Sequence, residues 1–310
     1  MNENEIIKWL LKGDISIQYQ VHRDLLNFQK KHMQKRIEKE GFGARLLSCR
    51  KKEGHWGRGF YQPKWTSTHY TLLDLKNLEI DPNNKEISHT LSLIFARLKA
   101  ADGGILPVGT LKLSDVCVNG MFLNYASYFR AKESDLKSIV DCLLKEHMKD
   151  GGFNCHSNRS GAVHSSMHTT ICVIEGIRSY ARNGYKYRLK ELLAAERGAR
   201  EFLLQHKLFK SDRTEKIIDK KMIMLSYPSR WKYDILRALD YFRLADVNYD
   251  SRMEDAITIL LKKRKADNLW PNQAKHPGQT HFEMEKVGKP SRFNTLRVLR
   301  ALKHFKIDME

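Results

Sequence analysis

The feature that most constrains this chain is a glycine-centred turn that recurs between helical stretches of two kinds. It reads Gly54-His-Trp-Gly57, Asp102-Gly-Gly104 and Asp150-Gly-Gly152, with Gly103 and Gly151 standing 48 positions apart, and it returns in degenerate form at Asn268-Leu-Trp-Pro271. An amphipathic stretch precedes each turn; a polar loop and then an apolar stretch follow it. The apolar stretches are 15–27, 66–78, 115–129, 165–180, 230–242 and 292–305. Several are apolar around most of their circumference, as in VCVNGMFLNYASYF, which is what a helix with neighbours on both sides requires. The alternating stretches 5–11, 35–49, 84–99, 136–149, 189–205 and 253–264 carry apolar residues at i, i+3 and i+4, the mark of a helix with one wet face. Six of each kind predict an all-α chain folded as an (α/α)6 toroid of helix hairpins, one domain over 1–310. An open solenoid of helix pairs is the alternative, but its turns are short. Here long glycine-bearing loops gather at one end of the apolar helices, and loops on a rigid scaffold build sites.

Charge comes next. The 55 Lys and Arg against 36 Asp and Glu leave +19, which favours an anionic partner: a phosphate, a nucleic acid or an acidic surface. The run QKKHMQKRIEK at 29–39 reads as a solvated helix face or as a polyanion-binding stripe. Cys49, Cys117, Cys142, Cys155 and Cys172 are odd in number and make no dense framework, so reduced thiols and a cytoplasmic setting are expected. The opening MNENEIIKWLLKGD has too short an apolar stretch for a signal peptide or a membrane span.

Two segments at the starts of neighbouring apolar helices stand out: Lys112-Leu-Ser-Asp115-Val-Cys117 and His164-Ser-Ser-Met-His168-Thr-Thr-Ile-Cys172. Equivalent positions of adjacent repeats face the same rim, so Asp115, Cys117 and His168 are expected to converge there. A carboxylate, a thiolate and an imidazole with a vacant fourth position make an open zinc site. Residues two apart on a regular helix diverge, so this requires Asp115 to stand at the helix start in non-helical geometry. The plainer reading makes Asp115 a cap, Cys117 a buried thiol and His168 a hydrogen-bonded core histidine. His69, His164, Arg230, Trp231, Asp234 and Arg292 also lie at or near starts of apolar helices and are candidate substrate contacts, joined by Lys112. Each has an equally consistent packing or capping role; Asp234, for one, can pair with Arg230 at i, i+4. Parallel helix N-termini would add partial positive charge at this rim. Cys155-His156 is a competing metal pair.

The segment from Lys112 to Cys117, followed one repeat later by Met167-His168-Thr-Thr-Ile-Cys-Val-Ile-Glu-Gly-Ile177, resembles the β subunit of protein prenyltransferases, which is grouped with the squalene and terpene cyclases among α/α toroids. The resemblance implies that Asp115, Cys117 and His168 hold a catalytic zinc and that Lys112 contacts a prenyl diphosphate. It departs at Val118, where the family has an aromatic residue, and at Gly109, in the stretch before Lys112 where the family has an arginine. The acidic D-x-D-D signature of the squalene-type cyclases is absent. Cys155-His156 is similar to the Cys-His element of lanthipeptide cyclases, which are also zinc-bearing toroids. The expected function is therefore a zinc-dependent enzyme acting on a prenyl diphosphate or another amphiphilic anion, its tail held in an apolar-walled central cavity. A non-catalytic toroid that binds a peptide or hydrophobic anion, and a basic helical scaffold for nucleic acid, are the alternatives.

Overall fold

A computed structural model describes residues 1–109 and 111–308 of the protein. Among the described residues there is no β-strand, only isolated bridges. The helices are α1 (Glu3–Leu11), α2 (Ile15–Asp24), α3 (Lys31–Arg36), α4 (Gly41–Ser48), α5 (Thr68–Asn77), α6 (Lys85–Arg97), α7 (Val116–Tyr128), α8 (Glu133–Lys145), α9 (Ser157–Ser160), α10 (Met167–Arg182), α11 (Leu189–Gln205), α12 (Ile235–Leu244), α13 (Glu254–Lys262) and α14 (Arg292–Phe305). None is long and apolar enough to cross a membrane.

The two kinds of stretch become two kinds of helix. In α7, eleven of thirteen residues are buried, whereas α8, of the same length, buries five on one face. α5, α10, α12 and α14 follow α7, and α6, α11 and α13 follow α8. Close helix contact explains two glycines. A Cβ on Gly176 would lie 2.3 Å from the Gly120 carbonyl oxygen, so α7 and α10 approach backbone to backbone.

Two expected boundaries shift for local reasons. The stretch 35–49 is broken into α3 and α4 because Gly41 takes φ +65°, and a Cβ there would meet the Asp14 carboxylate, which accepts from Phe42 N at 2.7 Å. The stretch 230–242 becomes helical only at Ile235, where Asp234, in extended geometry, accepts from Arg237 N at 2.8 Å and caps α12.

Hydrogen bonds tie the buried helices together in sequence. Gln20 donates to the Asn77 carbonyl at the ends of α2 and α5 (3.1 Å), His69 of α5 meets the Tyr125 hydroxyl of α7 (3.1 Å), and Ser179 of α10 donates to the Asn124 carbonyl of α7 (2.7 Å). Arg237 of α12 donates to Glu175 of α10 (2.8 Å), and Arg300 of α14 donates to Asp240 of α12 (2.7 Å). The last helix also meets the first two: Arg300 donates to Asp24 (2.9 Å), Lys303 to the Leu25 carbonyl (2.7 Å) and Arg292 to the Trp9 carbonyl (3.2 Å).

Candidate functional site

A cavity of about 360 Å³ is lined by side chains from α2, α5, α7, α10, α12 and α14. Its wall is not the apolar one expected from the sequence: eight cationic side chains and four carboxylates face it. Most apolar residues of these helices are consumed in packing against their neighbours, and much of what remains toward the cavity is charged, some of it at helix C-termini and some, as Arg230 and Arg237, near the start of α12. Arg23, Lys76, Arg182 and Arg243 occupy the last turns of α2, α5, α10 and α12. Helix C-termini carry partial negative charge, which makes these the favourable places for cations. Half of the cavity's eight cations thus stand in last turns, at the opposite helix ends from the N-terminal rim where sequence placed the site, while Arg230 and Arg237 reach it from near the start of α12.

The carboxylates of the cavity are fully engaged. Asp240 accepts from Arg300 and from Arg243 (3.0 Å), with Arg297 3.5 Å away, and Asp24 accepts from Arg23 (2.6 Å) and Arg300 (2.9 Å). Burial works to raise both carboxyls, but the guanidinium groups overcome it: Asp240 is held well below the usual range and Asp24 is brought down to about 2. Glu175 is taken by Arg237 and Glu79 by Arg23. Cations are left over. Lys76, half-buried in the wall, makes no hydrogen bond and no ion pair, and burial lowers its pKa against the more distant pull of Glu175 and Glu79. Arg182, exposed and lining the same cavity, has no bonded partner either.

Arg230 stands in the wall between this cavity and a smaller cleft of about 50 Å³ that contains Asp74, Trp65, His276 and His281. It is 7% exposed, takes φ +55° and makes no hydrogen bond; its guanidinium lies 4.6 Å from the centre of the Trp65 ring and 4.0 Å from Asp74. Burial raises the Asp74 pKa to about 6, with Arg230 acting against it, and Asp74 Oδ1, Arg230 Nε and His276 Nε2 are buried without partners. Burial also brings His276 down to about 4, so it is neutral near pH 7.

The expected zinc ligands are only partly brought together. Asp115 has the extended geometry the reading required, φ −83° and ψ 126° at the start of α7, and its charge acts on Cys117. The neighbour of Cys117 is Cys155, whose sulfur accepts from Cys117 N at 3.0 Å. His168 is committed elsewhere. Its Nδ1 accepts from Tyr233 N at 2.8 Å, its ring meets Trp231 at 5.2 Å, and burial lowers its pKa to about 4. A neutral imidazole that accepts at Nδ1 carries its proton on Nε2, which leaves no free lone pair for a metal. Among the described residues no group of three or more His, Cys, Asp or Glu side chains is disposed to hold a metal ion. This arrangement does not fit a zinc centre at Asp115, Cys117 and His168.

Of the candidate substrate contacts, Arg230 alone lines the cavity. Lys112 and His164 are exposed on loops, the latter accepting from Asn154 through its carbonyl (2.8 Å). His69 is fully buried, bonded to Tyr125, and pushed down to about 3 by burial. Arg292 stacks over Trp9 at 4.4 Å, Asp234 caps α12 rather than pairing with Arg230, and Trp231 packs beside His168 with Lys232 3.8 Å above its ring. Sequence reasoning passed over Lys76, Arg182 and the Asp240 network, although a signal was present: Arg237, Asp240 and Arg243, like Arg297 and Arg300, recur at three-residue spacing on otherwise apolar helices. Compared with known proteins, the chain matches no family model and no curated sequence.

Proposed function

We propose that the chain is an (α/α)6 toroid whose central cavity binds the phosphorylated, multiply anionic part of a small ligand. The ring is supported by hydrogen bonds that run from each buried helix to the next and from α14 back to α2, and by the contribution of all six to one cavity wall. The ligand chemistry rests on one observation: with the cavity's four carboxylates already bonded to other cations, the Lys76 and Arg182 side chains have no bonded partner, only the more distant pull of those carboxylates. An uncompensated cation in a partly desolvated wall favours an incoming anion, and guanidinium groups match phosphate geometry.

A prenyl diphosphate remains one member of this class, bound through its head. Its hydrocarbon tail meets a mainly polar wall here, with Leu244, Phe293 and Leu296 as its aliphatic and phenyl patches, so affinity should depend more on the number of phosphates than on the length of the chain. Calorimetric titration with inorganic diphosphate, tripolyphosphate and prenyl diphosphates of increasing length tests this. Binding of the inorganic anions, weakening with added salt, is the expected result. Affinity that climbs with tail length restores the amphiphile reading, and no binding by any of them rejects the proposal. Gel-shift with DNA or RNA addresses the remaining alternative, for which the inward position of these cations offers no support.

A further inference from the structure

Outside the cavity, one cysteine sulfur among the described residues is hydrogen-bonded to the backbone of another cysteine. Cys155, half-buried after the Gly151 turn, lies against the first turn of α7, where its sulfur accepts from Cys117 N at 3.0 Å and from the Thr169 hydroxyl at 3.4 Å; its own N–H donates to that hydroxyl at 3.2 Å. Cys117 N is two bonds from its own Cβ, so the Cys155 sulfur stands beside the carbon that bears the Cys117 thiol.

We propose that Cys155 is an oxidation site that reacts with hydrogen peroxide or an alkyl hydroperoxide and that Cys117 is its resolving partner, closing a disulfide that ties the 151–166 loop to α7. The physical reason is that the Cys155 sulfur receives two donors suited to a thiolate, a backbone N–H on the first turn of a helix and a hydroxyl, with Cys117 beside it. Lys64 adds positive charge in the same neighbourhood.

The chemistry balances as follows. The Cys155 thiolate attacks one peroxide oxygen and the O–O bond breaks, leaving a sulfenic acid and hydroxide, which takes up the proton the thiol had released. Cys117 sulfur then attacks the Cys155 sulfur; the S–O bond breaks and the hydroxyl leaves with the Cys117 proton as water, so two thiols and one hydrogen peroxide become one disulfide and two waters, and with an alkyl hydroperoxide the first leaving group is the alkoxide, which ends as the alcohol in place of one water.

The test treats the folded full-length protein with limiting hydrogen peroxide, blocks remaining thiols with iodoacetamide and maps the products by mass spectrometry. The expected result is a Cys117–Cys155 disulfide, with Cys155 consumed at least about tenfold faster than the half-buried Cys49. Cys117→Ser should arrest the reaction at a Cys155 sulfenic acid that dimedone traps. Circular dichroism of that variant reports whether it folds, and the wild-type map stands whatever it shows. Consumption of Cys155 no faster than Cys49, or a first disulfide that pairs either residue with another cysteine, overturns the proposal.

Discussion

The two ends of the buried helices differ in what they do with polar side chains. At the N-terminal end, most of the polar groups close on one another or on the backbone: Asp234 caps α12, His168 accepts from Tyr233 N, His69 bonds Tyr125, and Arg292 is spent on Trp9, although His69 Nε2, Trp231 Nε1 and Arg230 Nε are buried without partners. Toward the C-terminal end a network of arginines and carboxylates surrounds a cavity and leaves cations over. Satisfied polar groups stabilise a fold; unsatisfied ones at a cavity wall mark a place for a ligand. A residue's type and its position at a helix start therefore say less about function than whether its charge is already answered.

Breaking the network should give the largest effect. Asp240→Ala leaves Arg300, Arg243 and Arg297 around an empty position, and removal of one partner from a buried ion-pair cluster costs about 3–5 kcal/mol; urea unfolding at pH 7 measures it. The same network sets an acid limit. Asp24 and Asp240 have depressed pKa values, so their stabilisation is complete above the ordinary carboxylate range and lost as pH falls through about 4 and below.

Asp74 should behave in the opposite sense. Its folded pKa of about 6 exceeds the unfolded value, so the native state binds the proton more tightly, and stability declines as pH rises from about 4 to 6. Asp74→Asn should therefore be more stable than wild type at pH 7 to 8, by about 1–3 kcal/mol, with the advantage vanishing below about pH 4. Loss of stability in Asp74→Asn at pH 7 would show that its pairing with Arg230 outweighs its burial.

A smaller change separates binding from folding. Lys76→Met removes a half-buried cation with no bonded partner and should leave the unfolding free energy within about 1 kcal/mol of wild type while weakening inorganic diphosphate roughly tenfold. A stability loss as large as that of Asp240→Ala would make Lys76 part of the scaffold. Lys112→Ala, at the other end and exposed, should change diphosphate affinity by less than about twofold.

The helices were legible because burial leaves a period. VCVNGMFLNYASYF is apolar on all sides and is α7, while 136–149 is apolar on one face and falls largely within α8. The cavity was harder to read because a charged face looks the same in one dimension whether it meets bulk water or a cavity between helices. Arg300, in a helix that buries most of its length, reads as a solvated exception until Asp24 and Asp240 are seen beside it. The place of His168 was hard to read for a different reason: spacing puts an imidazole near a rim but is silent on the backbone N–H of Tyr233, 65 residues away, that donates to its Nδ1.

The difference between the two ends is most directly tested by the anomalous difference map of a crystal soaked in tungstate, a heavy tetrahedral oxyanion that stands in for phosphate. A peak in the cavity within hydrogen-bonding distance of Lys76 or Arg182 is the expected result. A peak confined to the N-terminal end, at Lys112 or His164, with the cavity empty, would contradict it.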